Sequence, residues 1–507
     1  MITEFCCARI DALILLDFEK MIFSSPEFIF AFLPITLLVY FLLNRFKFLY
    51  FGKLWLVAAS LYFYSYWSLN YLPLMLGSIL VNYSLGVQLA KGAKRKKAML
   101  SIGIIANLAV LCYYKYMNFF LDNVNLITGQ SFHIEGIILP IGISFYTFTQ
   151  IAFLVDSYKG NAKEYDLVNY ALFVTFFPHL IAGPILHHKE MMSQFKSLRT
   201  IPIKYKNILM GLMIFGIGLF KKTIIADTFA QWAEVGYIVG AHHDFYSAWV
   251  TSLSYTFQLY FDFSGYCDMA IGAALLFNIW LPINFNSPYK SLNIQDFWRR
   301  WHITLGRYLR DYVYIPLGGN RCSIPRTYIN LFLTFVIGGL WHGASWMFII
   351  WGAMHGFALV VHRAWSKLGI SMYKPLAWFV TFLYVHIAWV FFRAHTVQDA
   401  LNIISAMFNI ESARSVSVSD IPITNMTMLG VQADKLLLFL PSGLVGYSIQ
   451  FAAIACAFYI SSCKNSLEIV KTQEQSMLKV GLLSLVTVTA LYMVLHTTSP
   501  VFLYFNF

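Results

Sequence analysis

The segment Ile329–Val361, INLFLTFVIGGLWHGASWMFIIWGAMHGFALVV, contains no Asp, Glu, Lys or Arg. It is longer than the roughly 20 apolar residues that a helix needs to cross a bilayer once. Gly338, Gly339, Gly343 and Gly352 fall in its middle, where residues without side chains let two backbones approach closely. We therefore predict a bent, tightly packed pair of membrane segments.

The composition of the whole chain agrees with a lipid environment. Of its 507 residues 59% are hydrophobic and 12% are charged, whereas about 25% of a soluble protein is charged. The 18% aromatic content excludes a disordered chain, and seven scattered cysteines without a CxxC pair exclude a disulfide framework. The net charge of +12 is interpreted as a signal of membrane topology, and nucleic acid is not a predicted partner.

Apolar segments of spanning length, with Lys- and Arg-rich loops assigned to the cytoplasm, predict about ten crossings. Three further segments are broken or short: Tyr170–Leu186, which contains Pro178 and Pro184, Met269–Leu281, and the bent pair itself. The predicted crossings are Phe28–Leu43, Leu54–Leu69, Tyr71–Leu89, Ala98–Phe120, Ile137–Val155, Ile208–Ala226, Ser247–Phe263, Leu376–Phe392, Leu438–Ile460 and Val480–Leu495.

The sequence predicts a single membrane domain over residues 21–507. Residues 1–20 are acidic and lack a signal-peptide pattern, so they are interpreted as an extension upstream of Met21, a candidate start site. No internal repeat of the kind common in transporters is evident. Residues 284–328 form a basic, cytoplasmic-type loop, whereas residues 412–434 are assigned to the outer side, as is the aromatic C-terminal motif of residues 498–507.

Within the basic loop, the segment Asp296–Pro316 reads DFWRRWHITLGRYLRDYVYIP. On one helix its large apolar residues share a single arc, and four arginines occupy the other side. His302 falls at the edge of the apolar arc. Two interpretations stay open: an interfacial anchor helix with snorkelling arginines, or a cationic mouth for a phosphate-bearing donor such as coenzyme A. The four arginines are Arg299, Arg300, Arg307 and Arg310.

The bent pair contains an ionisable residue, His342, in the run GGLWHGASW. Such a residue inside an apolar segment is by default a candidate functional residue. His355 and His386 are more simply explained as hydrogen-bonding partners of neighbouring helices. The histidine pairs in the loops lack metal-ligand spacing, and no metal site is predicted. The terminal VFLYFNF, which includes Tyr504, either packs back into the protein or anchors it at the membrane surface.

Five blocks of the sequence together resemble the membrane-bound O-acyltransferase (MBOAT) family, in its bacterial alginate and peptidoglycan O-acetyltransferase branch. The resemblance extends from Met21 to the end of the chain, and its last two blocks are the most specific. The blocks are MIFSSPEFIFAFLP from Met21, FFPHLIAGPI from Phe176, QLYFDFSGYCDMAIG from Gln258, FNSPYKSLNIQDFWRRWHITLGRYLRDYVYIPLGGNR from Phe285 and GGLWHGASW from Gly338.

The resemblance implies an all-α polytopic fold around a central funnel that an acyl thioester enters from the cytoplasm. It implies that His342 is the catalytic histidine and His302 the second functional histidine, and that Tyr504 matches a tyrosine proposed to carry the acyl group. It also implies acetyl-CoA or another thioester as donor substrate, no bound cofactor, a periplasmic SGNH or esterase-like O-acetyltransferase as partner, and the bacterial inner (cytoplasmic) membrane as location.

The sequence and the resemblance thus predict an acyltransferase, an O-acetyltransferase subunit that serves an exported polysaccharide. Peptidoglycan and alginate both remain open as the final acceptor. A glycan transporter or flippase is an alternative, although it would need a wide polar path and usually repeat symmetry. The other alternative is a non-catalytic membrane scaffold for a periplasmic acetyltransferase.

Overall fold

The computed structural model describes residues 21–67, 69–162, 166–415, 427–428, 431–432, 442–471, 477–496 and 502–503. Within these ranges helices dominate, and one antiparallel pair of two-residue strands joins β1 (Thr427–Met428) to β2 (Val431–Gln432). The predicted all-α fold is confirmed. Residues 1–20 and Tyr504, both named in the sequence predictions, lie outside the described residues.

The α-helices begin and end as follows in chain order. They are α1 Leu33–Arg45, α2 Leu49–Ser65, α3 Leu72–Lys91, α4 Lys96–Thr128, α5 Ile143–Tyr158, α6 Leu167–Thr175, α7 Phe177–Leu180, α8 His188–Phe195, α9 Tyr205–Phe220, α10 Asp227–Gly236, α11 Phe245–Leu276, α12 Ile294–Arg300, α13 Ile303–Leu309, α14 Ile324–His342, α15 Trp346–Trp365, α16 Lys374–Arg393, α17 Val397–Phe408, α18 Ile410–Ser415, α19 Ser442–Ser462, α20 Ser466–Lys471 and α21 Met477–His496.

Seven helical segments of the described chain are long and apolar enough to cross a membrane. The protein is therefore a multi-pass membrane protein. Two of the predicted crossings correspond to shorter helices, since α2 has 17 residues and α5 has 16. The seven segments are Glu27–Arg45, Leu69–Lys91, Lys96–Thr128, Tyr205–Gly236, Trp346–Leu368, Lys374–Arg393 and Met477–His496.

Helix α11 lies at the centre of the protein and is buried along almost its whole length. The sequence predicted two segments here, Ser247–Phe263 and Met269–Leu281, and this division is wrong because one helix of 32 residues runs through the first and into the second, ending at Leu276. The polar and small residues between the two predicted segments are accommodated inside the helix. Asp268 is paired with Lys221 at 2.7 Å, and Gly265 packs against the backbone of Gly218.

The uncharged segment forms the predicted bent pair, α14 and α15. A Cβ atom placed on Gly339 would lie 2.2 Å from the carbonyl oxygen of Phe348, and one on Gly352 would lie 2.4 Å from that of Phe335. The two helices therefore pack backbone to backbone at positions where no side chain fits. The bend follows His342, and Ser345 then caps α15 by accepting a hydrogen bond from the Met347 amide at 3.2 Å.

The prediction of one continuous helix over Asp296–Pro316 is wrong, because the chain breaks at His302. This residue has the left-handed dihedral angles φ 43° and ψ 54°. The loop before it causes the break: the Ile303 amide donates to the Asn284 carbonyl at 3.0 Å, and the Asn286 amide donates to the Arg300 carbonyl at 2.9 Å. Most of the predicted apolar arc is nevertheless buried, namely Phe297, Trp301, Leu305, Tyr308 and Leu309. The other two members of the arc, Trp298 and Tyr312, are half-buried.

The segment Tyr170–Leu186 is broken as predicted. Helix α6 ends at Thr175, α7 is a single turn, and irregular backbone follows. Nearly all of it is buried, including Tyr170 and Phe177. Broken backbone at membrane depth requires such protein surroundings because lipid cannot hydrogen-bond its polar groups.

Candidate active site

His342 is the last residue of α14, and its side chain is 3% exposed. Three aromatic rings enclose the imidazole. Their centroids lie 5.0 Å away for Trp341, 5.1 Å for Trp351 and 5.4 Å for Phe392. The ring therefore lies in an apolar cage, in which electrostatic interactions are stronger than in water.

His302 is fully buried between α12 and α13, and its surroundings define its protonation. Its Nδ1 lies 3.1 Å from Oδ1 of Asn284, which also accepts hydrogen bonds from the amide and hydroxyl of Thr304. Because that oxygen is an acceptor, Nδ1 carries the proton, and Nε2 of the neutral ring carries the lone pair. Burial lowers the pKa of His302 to about 3, so the ring is neutral at cytoplasmic pH.

The structure brings the two histidines together. Their ring centroids are 6.4 Å apart, and Trp341 lies 6.2 Å from His302. His302 has left-handed backbone dihedral angles. Such angles are uncommon for a residue other than glycine, and strained backbone of this kind clusters at functional sites. Two neutral, buried imidazoles at this separation can contact the same small group, one as a base and the other as a hydrogen-bonding partner.

The four predicted donor-binding arginines lie beside α12 and α13, and three of them contact carboxylates. Arg307 forms a bidentate ion pair with Glu190: Nη1 donates to Oε1 at 2.6 Å, and Nη2 donates to Oε2 at 3.0 Å. Arg300 pairs with Asp296 at 3.0 Å, and Arg310 pairs with Asp311 at 2.7 Å. The hydrogen bonds that Arg310 donates to the Asp311 carboxylate raise the pKa of Arg310. Arg299 has an exposed side chain.

The C-terminal motif packs into the protein at the two residues that the structure describes. Phe502 is 2% exposed and stacks on Tyr266, with ring centroids 4.5 Å apart. Its ring also lies 5.8 Å from Phe263, which in turn lies 4.8 Å from His302. Leu503 donates its amide hydrogen to Oδ2 of Asp262 at 2.9 Å. Of the two sequence interpretations, packing back into the protein applies to these residues.

A cavity of about 320 Å³ lies beside the histidine cage. Phe392, which contacts His342, forms part of its wall together with Phe348 and Leu503. Its other walls carry charged residues, including Glu234 and Arg393. Glu234 lies in α10 and Arg393 is the last residue of α16, and the cavity reaches to within one ring, that of Phe392, of His342.

Sequence reasoning missed a buried ion cluster in this wall. Nζ of Lys222 lies 2.8 Å from Oδ1 of Asp227 and 3.0 Å from Oδ1 of Asp262, with the side chains of Lys222 and Asp262 5% and 3% exposed. A π-helical stretch, Lys221–Ala226, displaces the chain here. The available signal was a charged residue inside an apolar span, which marks a functional position by default.

Two of the remaining histidines have the structural roles predicted for them. His386 lies 2.8 Å from the hydroxyl of Thr256, and Nδ1 of His355 accepts a hydrogen bond from the indole of Trp298 at 3.2 Å. These bonds join neighbouring helices. They satisfy buried polar groups that would otherwise be costly in a membrane.

The described residues thus form a helical, multi-pass membrane fold that holds two histidines close together among buried aromatic rings. Residues 61–398 match the model of the membrane-bound O-acyltransferase family. The chain belongs to this family and is an acyltransferase.

Three relatives show how far the similarity reaches. The chain is 45% identical to the peptidoglycan O-acetyltransferase of Helicobacter pylori, over 96% of this chain and 98% of that protein. It is 43% identical to the probable alginate O-acetylase AlgI of Pseudomonas aeruginosa, over 82% and 80% of the two chains. The teichoic acid D-alanyltransferase of Bacillus subtilis is 29% identical over 46% of this chain and 61% of its own.

Proposed function

We propose that the protein is the membrane subunit of a system that O-acetylates an exported cell-surface polysaccharide, either peptidoglycan or an alginate-like polymer. It resides in the bacterial inner membrane, takes acetyl from acetyl-CoA or another cytoplasmic thioester, and passes it to a periplasmic SGNH or esterase-like O-acetyltransferase. The names of the relatives support the polysaccharide. The observation that carries the transfer step is the buried pair of His302 and His342, with ring centroids 6.4 Å apart.

His342 acts as the general base in this proposal. It takes the proton of an acceptor hydroxyl while that oxygen attacks the thioester carbonyl, so that a C–O bond forms and the C–S bond breaks. The departing thiolate then receives the proton from the imidazolium. A positioned base contributes about 10²- to 10⁴-fold in rate, and the aromatic cage excludes water that would hydrolyse the thioester.

His302 orients the acceptor without carrying charge. Its Nδ1 is held by Asn284 at 3.1 Å, which leaves Nε2 as the atom with the lone pair. The acceptor hydroxyl has a single proton, which His342 takes, so the neutral His302 ring orients the acceptor by contact from the opposite side of the site, with its centroid 6.4 Å from that of His342. Because burial lowers the pKa of His302 to about 3, this role does not change across the physiological pH range.

Tyr504 is the first acceptor in the proposed sequence of steps. Of the two residues that precede it, Phe502 packs next to Phe263, and Leu503 forms part of the wall of the cavity beside His342. An acetyl ester on the tyrosine oxygen would then be attacked by the periplasmic partner, which returns the phenol proton and carries acetyl to the polysaccharide. Acetyl crosses the membrane in this way while coenzyme A stays in the cytoplasm.

The donor phosphates are proposed to contact the arginine side of α12 and α13. Arg299 has an exposed side chain, and Arg310 is 62% exposed beside Asp311. Guanidinium groups bind phosphate oxygens through paired charge-assisted hydrogen bonds. Arg307 would have to exchange its two bonds with Glu190 for bonds to a phosphate.

Substitution of His342 by Asn tests the proposal directly. We expect polysaccharide acetylation to fall to background while the amount of membrane-inserted protein is unchanged. The matched control is His386→Asn, which replaces an equally buried histidine that bonds Thr256, and it should retain activity. Normal acetylation by the His342 variant would refute the catalytic role and favour a scaffold.

Tyr504→Phe tests the shuttle separately. The variant keeps the aromatic ring and loses only the hydroxyl, so acetylation of the polysaccharide should stop while thioester binding persists. An active Phe variant would leave no role for an acetyl-tyrosine. A transporter would instead move the glycan in all of these variants, which is measured by the appearance of unacetylated polymer outside the membrane.

A further inference from the structure

Two neighbouring residues of α4 reach the end of the helix that carries His342. Nζ of Lys115 donates to the backbone carbonyl of Trp341 at 2.6 Å and to that of His342 at 3.1 Å. The hydroxyl of Tyr116 donates to the carbonyl of Leu340 at 2.7 Å. Three consecutive carbonyls of α14 are therefore bonded by one adjacent helix.

These three carbonyls are groups that a helix end leaves without partners within the helix. Helix α14 ends at His342, and Gly343 continues in extended conformation with φ −164° and ψ 157°. At membrane depth there is no bulk water to bond the freed carbonyls. A lysine cation at the negative end of a helix dipole is also electrostatically favourable. Lys115 and Tyr116 thus supply the hydrogen bonds that solvent or a capping residue supplies at other helix ends.

Lys115 lies inside a candidate membrane span, Lys96–Thr128, where a charged residue needs a reason. Its third contact is the hydroxyl of Ser144 on α5, at 3.3 Å. Lys115 therefore links α4, α5 and the end of α14. An aromatic contact adds to the geometry, since Nζ lies 5.8 Å from the ring of Trp341, within the range of a cation–π interaction.

We propose that Lys115, assisted by Tyr116, is a positioning residue that fixes the direction of the His342 imidazole. It acts through the backbone and does not contact the reacting groups. The carbonyl of His342 is bonded to the carbon that bears its side chain, so holding the carbonyls of residues 341 and 342 sets the rotation of the last helical turn. The inference rests on the proposed role of His342 as the base.

The test is steady-state kinetics in inverted membrane vesicles that contain the full chain and its acetylation system, with labelled acetyl-CoA as donor. Lys115→Met keeps an unbranched side chain that is one heavy atom shorter and removes its N–H donors. We expect kcat to fall about 10- to 100-fold, the cost of a misplacement of roughly 1 Å, while KM for acetyl-CoA changes less than about twofold. Lys115→Arg, which retains a cation and donors, should recover part of the lost kcat.

Two controls remove equivalent contacts elsewhere. Lys290→Met deletes a lysine bond of 2.7 Å to the carbonyl of Cys463, and Tyr384→Phe deletes a tyrosine bond of 2.6 Å to that of Met354. Both controls should keep wild-type kcat. If Lys115→Met does not reach the membrane, Tyr116→Phe tests the positioning role instead, because it removes only one hydroxyl. It should still lower kcat relative to Tyr384→Phe.

The inference is overturned if Lys115→Met and Tyr116→Phe both retain the kcat of their controls, or if their only effect is on KM. Failure of the proposed function looks different. In that case His342→Asn is itself active, whatever Lys115 does. An inactive His342→Asn with fully active α4 variants would reject the positioning role alone.

Discussion

Substitution of Gly339 by Ala changes the site without touching either histidine. The added Cβ would lie 2.2 Å from the carbonyl oxygen of Phe348, where 3.4 Å is an ordinary contact. The shortfall is about 1.2 Å, and both partners are backbone, so α14 and α15 must separate by roughly that amount. Gly339 lies one turn before His342, and Trp351 of the cage lies on α15. The base and its cage therefore move apart.

We expect this variant to lose about 100-fold in acetyl transfer, the cost of a misplacement of roughly 1 Å. Overpacking should lower the free energy of unfolding by about 1–3 kcal/mol. Transfer is measured with labelled acetyl-CoA in inverted vesicles, and stability is measured by thermal unfolding in detergent. Gly481→Ala is the matched control. Gly481 lies on another membrane helix, α21, and a Cβ atom placed there would meet nothing within 4 Å. Wild-type transfer by Gly339→Ala would show that the spacing of α14 and α15 does not position His342.

Three further outcomes are expected. Asn284→Leu removes the acceptor that holds Nδ1 of His302, so kcat should fall about 10- to 100-fold in the vesicle assay. Asp262→Ala leaves Lys222 with one fewer carboxylate in a buried cluster, and should cost about 3–5 kcal/mol of stability by denaturant or thermal unfolding. Arg299→Ala should raise KM for acetyl-CoA up to about tenfold with kcat unchanged, because a charge-assisted bond to phosphate is lost, and the effect should shrink at high salt.

The predicted cost of Asp262→Ala has a contrasting variant at an exposed ion pair, and each of the three predictions has an outcome that would contradict it. Glu190→Gln breaks the Arg307 pair, in which the carboxylate is 43% exposed, so its stability cost should stay near 0–1 kcal/mol, roughly the value for a surface pair. A similar loss in Asp262→Ala would contradict the idea of a buried cluster. Unchanged kcat in Asn284→Leu would mean that the orientation of His302 is unimportant. A fall in kcat without a change in KM would remove Arg299 from the donor site.

The membrane class, the bent pair and the buried arc of the basic loop could be predicted because each depends on local pattern. An uncharged run with four glycines near its middle allows close packing of two backbones. Gly339 and Gly352 lie at the positions where α14 and α15 make this close contact. The apolar arc keeps its period across a break, so Phe297 and Leu305 are both buried. In these cases a periodicity in the sequence corresponds to one face in space.

Two features could not be predicted from such patterns: the break at His302, and the hydrogen bonds from Lys115 and Tyr116 to the end of α14. The break arises from hydrogen bonds with the loop at Asn284, and helix propensity alone favours continuation. The hydrogen bonds to α14 join Lys115 to the carbonyl of His342, which lies far along the chain. Contacts of this kind depend on tertiary packing. Only the charge of Lys115 within an apolar span gave a local signal.

We propose that His342 moves acetyl from a cytoplasmic thioester to Tyr504. The most direct measurement is to incubate the purified protein with labelled acetyl-CoA and to map the labelled residue by mass spectrometry. We predict acetyl on Tyr504 of the wild-type protein and none on His342→Asn. An unlabelled wild-type protein, or equal labelling of Tyr504 in the variant, would contradict it.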